Sequence, residues 1–170
     1  MTSKAVDNEA TMTRSGYDRL TAELIELRTE RRADIARQLE EARSFGDLSE
    51  NAEYATAKEE QSKLEARILQ LEIQLSKAKI LDEGKLDTKR VSMGLTVTLK
   101  EMTPPSKSYT YSIVGSDEVD PRTHSISQKS PVGQAIIGKT VGDEVFVNTK
   151  KGVRHLKIMK IMKMASSDKV

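Results

Sequence analysis

The chain contains no cysteine and no tryptophan. Without cysteine it can build no disulfide framework, no thiolate metal site and no cysteine nucleophile, which suits a reducing compartment. Aromatic residues make up 4% of the chain, poor provision for a single thick core. No apolar run approaches the roughly 20 residues that span a bilayer, so no membrane partner is expected. The first residues, Met1-Thr2-Ser3-Lys4-Ala5-Val6-Asp7, lack the apolar stretch of a secretory leader. The expectation is a soluble, cytoplasmic protein.

What is present points to two parts. The 170 residues suffice for one ordinary domain or two small ones. A hydrophobic fraction of 36% with a mixed-sign charged fraction of 32% excludes a disordered chain. The net charge of +2 hides a split: residues 1–82 hold 13 basic and 17 acidic side chains, residues 83–170 hold 15 and 9. The sign of the charge changes where the residue pattern changes, as it does between domains.

Residues 1–12 are polar and unpatterned and read as a disordered tail. From Thr13 to Ser44 there is no proline, and Tyr17, Leu20, Leu24, Leu27, Ile35, Leu39 and Ala42 recur at helical spacing, with Arg31 interrupting the seam. A second segment is cleaner. Tyr54, Ala57, Gln61, Leu64, Ile68, Leu71, Leu75 and Ala78 alternate steps of three and four, the mark of a heptad seam. Two helices of about 32 residues, each about 48 Å long, are separated only by Phe45–Asn51, and so short a connection makes antiparallel neighbours. A compact bundle would need a wider apolar face than this narrow stripe. The expected element is a coiled-coil hairpin over 13–82 with its tip at 45–51, far from the rest of the chain.

Residues 83–91 lose the heptad and read as a linker. Over 92–164 the period becomes two: Leu95, Val97 and Leu99 in one run, Tyr109, Tyr111 and Ile113 in another, separated by Pro104-Pro105-Ser106. Ser130, Pro131 and Gly138 mark the N-cap, first turn and C′ position of a short helix. Val145–Val147 and Val153–Met162 form a last hairpin turning at Lys150-Lys151-Gly152. The fold class is therefore a two-domain α plus α/β mixture: an N-terminal antiparallel helical hairpin, then a small α+β domain, then a tail over 165–170. Met159, Met162 and Met164 read as core filling and tail, and His124 and His155 as isolated surface or sheet residues. The C-terminal lysines (Lys150, Lys151, Lys157, Lys160, Lys163) suit a solvated, edge-protecting strand face or a nucleic-acid contact. No groove-reading element accompanies them.

The tip carries the densest signal. Gly46 suits the C′ position that ends the first helix, and Asp47 with Glu50 suits the N-cap and capping box of the second. Helix termination alone can account for every polar residue there. A second reading rests on chemistry: exposed carboxylates stay ionised at neutral pH and are hard oxygen ligands. Mg²⁺ is commonly held by one or two carboxylates together with waters and phosphates, so such a tip can contribute part of a metal site in another enzyme.

The run Arg43-Ser44-Phe45-Gly46-Asp47-Leu48-Ser49-Glu50-Asn51-Ala52-Glu53-Tyr54, continuing to Lys58-Glu59, resembles the signature of the GreA/GreB family of bacterial transcript cleavage factors. The resemblance resumes at Gly94-Leu95-Thr96-Val97, Ser130-Pro131, Ile137-Gly138-Lys139 and Gly142-Asp143, and covers about residues 13–162. It implies an FKBP-like globular domain and a transcription elongation factor whose hairpin enters the secondary channel of bacterial RNA polymerase. There it stimulates the polymerase's own Mg²⁺-dependent cleavage of backtracked nascent RNA; the factor is not itself an enzyme. By the same resemblance the catalytic, Mg²⁺-holding pair falls on Asp47 and Glu50, with the ion shared with the polymerase. The contacts to the RNA 3′ segment fall on Arg43 and Lys58, in a protein that acts as a monomer. An FKBP-like fold also invites prolyl isomerisation, but Tyr109, Tyr111 and Phe146 are too few aromatics to line such a site. Two alternatives stay open: a Gre-like inhibitor of the secondary channel, and a coiled-coil adaptor without a role in chemistry. The DNA-binding label often given to such families has no motif behind it here.

Overall fold

A computed structural model describes residues 11–47 and 51–165. The described residues separate into two compact units, one within 17–78 and the other formed by 11–16 together with 79–165.

The first unit is a helical hairpin. Its outgoing arm runs through α1 (Arg14–Glu26), a five-residue π-helical turn (Leu27–Arg31) and α2 (Arg32–Ser44); α3 (Ala52–Lys77) returns. Leu20, Leu24, Ile35, Leu39 and Ala42 on the outgoing arm are buried, as are Ala57, Leu64, Ile68 and Leu71 on the returning one. The π turn explains the interruption at Arg31. Leu27 to Ile35 is eight residues, one more than a heptad, and the Arg32 N–H reaches back to the Leu27 carbonyl to absorb the extra residue. The seam then resumes in phase. Arg28–Glu72, Arg32–Glu65 and Arg67–Glu23 bridge the two arms, the last two as bidentate pairs with contacts of 2.6–3.0 Å. The second helix is shorter than its pattern suggested: it ends at Lys77, and Lys79–Ile80 form a strand.

The second unit is built on a five-stranded sheet whose strands lie in the order 125–127, 108–114, 95–101, 152–163 and 144–149. Its strands are β3 (Leu95–Glu101), β4 (Ser108–Val114), β5 (Ser125–Ser127), β6 (Glu144–Thr149) and β7 (Gly152–Lys163), and only β4–β5 are parallel. The alternating runs and the last turn stand where the sequence put them. So does α4 (Pro131–Ile136), with the Ser130 hydroxyl accepting from the Gly133 N–H at 3.1 Å and Gly138 at a φ of +78°. The core joins Leu95, Val97, Leu99, Ile113, Leu156 and Ile158 of the sheet to Ile136 of the helix.

Four expectations need correction. The tail does not extend to residue 12: β1 (Thr11–Met12) pairs in parallel with β2 (Lys79–Ile80), and Met12 is buried. The stretch 83–91 is not a plain linker, since it opens with a 3₁₀ turn at Glu83–Lys85 and ends on Val91, a core residue. Met159 points outward rather than into the core, because it is the extra residue of a β-bulge between Thr98 and Leu99 on the β3–β7 ladder. His155 is not isolated: its ring stacks on Phe146 with centroids 4.4 Å apart, and its Nε2 lies 2.7 Å from the Glu144 carboxylate.

One buried carboxylate organises the entry to α1. Thr13 is the N-cap, its hydroxyl accepting from the Gly16 N–H at 3.1 Å. In a capping box the third helical residue would accept the cap's own N–H, but that residue is glycine. Glu118, 105 residues later, takes the role: its carboxylate accepts the Thr13 N–H at 3.0 Å, the Thr13 hydroxyl, and the Gly115 N–H at 2.8 Å. A Cβ on residue 16 would stand 1.9 Å from the Glu118 oxygen, so any side chain there would have to displace that carboxylate.

Candidate functional site

The loop between the hairpin arms begins with the C-terminal turn of α2. The Phe45 N–H bonds the Ala42 carbonyl, the Gly46 N–H bonds the Arg43 carbonyl, and Gly46 takes a φ of +101°, as expected for the residue that stops the helix. Phe45 is 72% exposed. Asp47 follows, also exposed. Glu50, with Leu48 and Ser49, lies outside the described residues.

The start of α3 differs from the expectation. Its N-cap is Asn51 rather than Asp47, with the Asn51 Oδ1 accepting the Tyr54 N–H at 3.1 Å. The same amide donates from Nδ2 to the Ala42 carbonyl at 2.7 Å. One side chain thus caps the start of one arm and the end of the other, tying the two strands of chain together immediately behind the loop. The cap of α3 therefore rests on Asn51.

Arg43 and Lys58, assigned to RNA on resemblance, come together. Arg43 lies in the last turn of α2 and Lys58 in the second turn of α3, both exposed. The Arg43 Cζ and the Lys58 Nζ are each 5.9 Å from the centroid of the same ring, that of Tyr54. This is cation–π range. Lys58 also donates to the Gln61 amide oxygen at 3.2 Å. Sequence reasoning read Tyr54 and Gln61 as seam positions; both are only half-buried, and each also faces a cation. The available signal was a tyrosine and a glutamine at the loop end of an otherwise aliphatic seam.

Asp47, Asn51 and Glu53 share the lining of an open depression at the loop, together with Phe45 and Ala52. Among the described residues, no three carboxylate, imidazole or thiolate side chains converge on one point. None of the described helices is long and apolar enough to cross a membrane.

Residues 10–80 match the model of the N-terminal region of transcription elongation factors, and residues 86–163 match that of the GreA/GreB C-terminal region. The chain is 46% identical to transcription elongation factor GreA of Chlorobaculum parvum over 150 residues, 88% of this chain and 94% of that protein. It is 43% identical to GreA of Acetivibrio thermocellus over 159 residues, 94% and 99% of the two chains. Among solved structures, GreA factor homolog 1 (Gfh1) of Thermus thermophilus is 32% identical and covers 90% of this chain and 98% of its own, superposing loosely at a TM-score of 0.42. With family models matching residues 10–80 and 86–163 and relatives 43% and 46% identical over most of both chains, the chain belongs to the GreA/GreB family of transcription elongation factors.

Proposed function

We propose that this elongation factor binds bacterial RNA polymerase through the secondary channel, the sheet unit docking at the channel rim. There it stimulates the polymerase's own cleavage of backtracked nascent RNA and so rescues arrested complexes. The protein is not a nuclease by itself; it acts as a cytoplasmic monomer. We read the hairpin as an antiparallel coiled coil and the sheet unit as FKBP-like, consistent with the narrow buried seam and the single short helix beside the sheet.

One observation carries the reading: two cations from different arms gather on one ring immediately behind a loop that exposes Asp47. Asp47 and Glu50 would hold a Mg²⁺ jointly with ligands from the polymerase, for which an exposed hard carboxylate is suited. Such an ion, when bound, makes its water a nucleophile at neutral pH and offsets charge at a phosphate. Arg43 and Lys58 attract the backbone of the extruded RNA and orient it. The double cap by Asn51 holds the base of the loop.

The test is cleavage of RNA in a stalled, backtracked polymerase complex. Asp47→Asn/Glu50→Gln preserves size and hydrogen bonding and removes both charges. Stimulation should fall by orders of magnitude while polymerase binding persists and the variant competes with the wild type. Full stimulation by the double variant would overturn the reading. A wild-type protein that occupies the channel without shortening RNA would instead be an inhibitor. Indifference of polymerase to the protein would leave an adaptor.

A further inference from the structure

Along the shaft of the hairpin several cations are paired: Arg28, Arg32, Arg37 and Arg67 each meet a carboxylate, and Lys63 pairs with Glu59. Near the loop the partners differ. Among the described residues neither Arg43 nor Lys58 pairs with a carboxylate; each faces the π-surface of Tyr54. A carboxylate partner cancels a cation's charge, whereas a ring orients the cation and leaves the charge available.

We infer that Tyr54 is a positioning residue that sets Arg43 and Lys58 as one two-cation clamp for neighbouring phosphates of a single RNA strand. The inference rests on the reading that this loop meets extruded RNA. Tyr54 is well placed to do this. Its N–H is held by Asn51, which also holds the Ala42 carbonyl next to Arg43, so ring and guanidinium share one anchor. Lys58 lies four residues beyond Tyr54 on the same helix face and is steadied by Gln61. Because both cations are 5.9 Å from one centroid, they stand no farther apart than twice that distance. Two long, flexible side chains from different helices would otherwise sample many separations, and ordering them before RNA arrives lowers the entropy lost on binding. The half-buried ring presents an aromatic face on which such ordering is possible without quenching either charge.

The experiment compares cleavage in deeply and shallowly backtracked complexes, using Tyr54→Phe, Tyr54→Leu, Arg43→Ala/Lys58→Ala and the triple variant. Tyr54→Phe keeps the ring and should match the wild type within about twofold, a margin smaller than the loss of one good cation–π contact. Tyr54→Leu keeps apolar volume and should lower the deep-to-shallow rate ratio about tenfold, the combined loss of two exposed cation–π contacts. Adding it to Arg43→Ala/Lys58→Ala should change nothing further, since it acts through them. In the isolated protein, NMR should show ring-current shifts of the Arg43 and Lys58 side-chain protons in the wild type and Tyr54→Phe, and their loss in Tyr54→Leu. If the cation variants impair deep cleavage and Tyr54→Leu does not, or its effect adds fully, the positioning role is overturned alone. If the cation variants cleave deep complexes like the wild type, the RNA-contact reading falls and this inference with it.

Discussion

The two units bury apolar surface in different ways. In the sheet unit Leu95, Val97, Leu99, Ile113, Ile136, Leu156 and Ile158 have no measurable exposure, each enclosed on every side. Among the described hairpin residues only Leu71 reaches that state, and ion pairs flank the seam. A gap in the enclosed core stays empty, whereas a gap in a two-helix seam lies within reach of water and of closing helices. The hairpin's stability is thus spread thinly along its length, and the sheet unit's is concentrated.

The strongest way to break this contrast is to truncate one leucine in each unit. Leu156→Ala should cost about 3–5 kcal/mol and Leu64→Ala about 2 kcal/mol, the low end for Leu→Ala, read by urea unfolding. Equal losses would show that the seam is packed as tightly as the core. Gly16→Ala should come next. Elsewhere in a helix the change is mildly stabilising, but here the new Cβ must displace the Glu118 carboxylate from the buried Thr13 N–H, a loss of about 1–3 kcal/mol. A stabilised Gly16→Ala would mean that the carboxylate moves away freely.

Asn51→Ala should cost about 1 kcal/mol, an ordinary capping loss. Asn51→Asp keeps an acceptor for the Tyr54 N–H and removes the donor to the Ala42 carbonyl, so it should fall between wild type and alanine; behaviour like alanine would show that the bond to α2 is the one that counts. Smallest of all is Glu65→Gln. Hydrogen bonding to Arg32 holds the Glu65 carboxylate below its usual range. A depressed value in the folded state gives stability that is present above the ordinary carboxylate range and fades as pH falls through the lowered one. Because the pair is exposed, the melting temperature at neutral pH should hardly move, and what difference exists should vanish in high salt. A salt-independent drop would make the pair structural.

What could be read from the sequence follows the same division. Alternation exposed β3, β4 and the last hairpin, because side chains on one face of a strand share one environment. β1 and β2 escaped since two-residue strands have no period, and their pairing joins segments nearly 70 residues apart. The partnership of Glu118 with Thr13 escaped because a buried carboxylate leaves no local trace of its donor. At the loop, Asp47 was mistaken for the cap although Asn51 stands three residues before Tyr54, where the seam begins. Both are good capping residues, and only the position of the first seam residue distinguishes them. Arg43 and Lys58 were assigned by resemblance; nothing in their spacing predicted a shared ring.

The π turn over Leu27–Arg31 gives the outgoing arm one residue of slack. Anywhere else in the arm, removing a single residue would rotate every later side chain by about 100° and turn the seam toward solvent. Removal of Glu30 would instead let the π turn relax into ordinary α-helix, with Ile35, Leu39, Ala42 and Arg43 still meeting the opposite arm in phase. The hairpin therefore contains one site at which its length can change by a single residue without disturbing the aim of its tip.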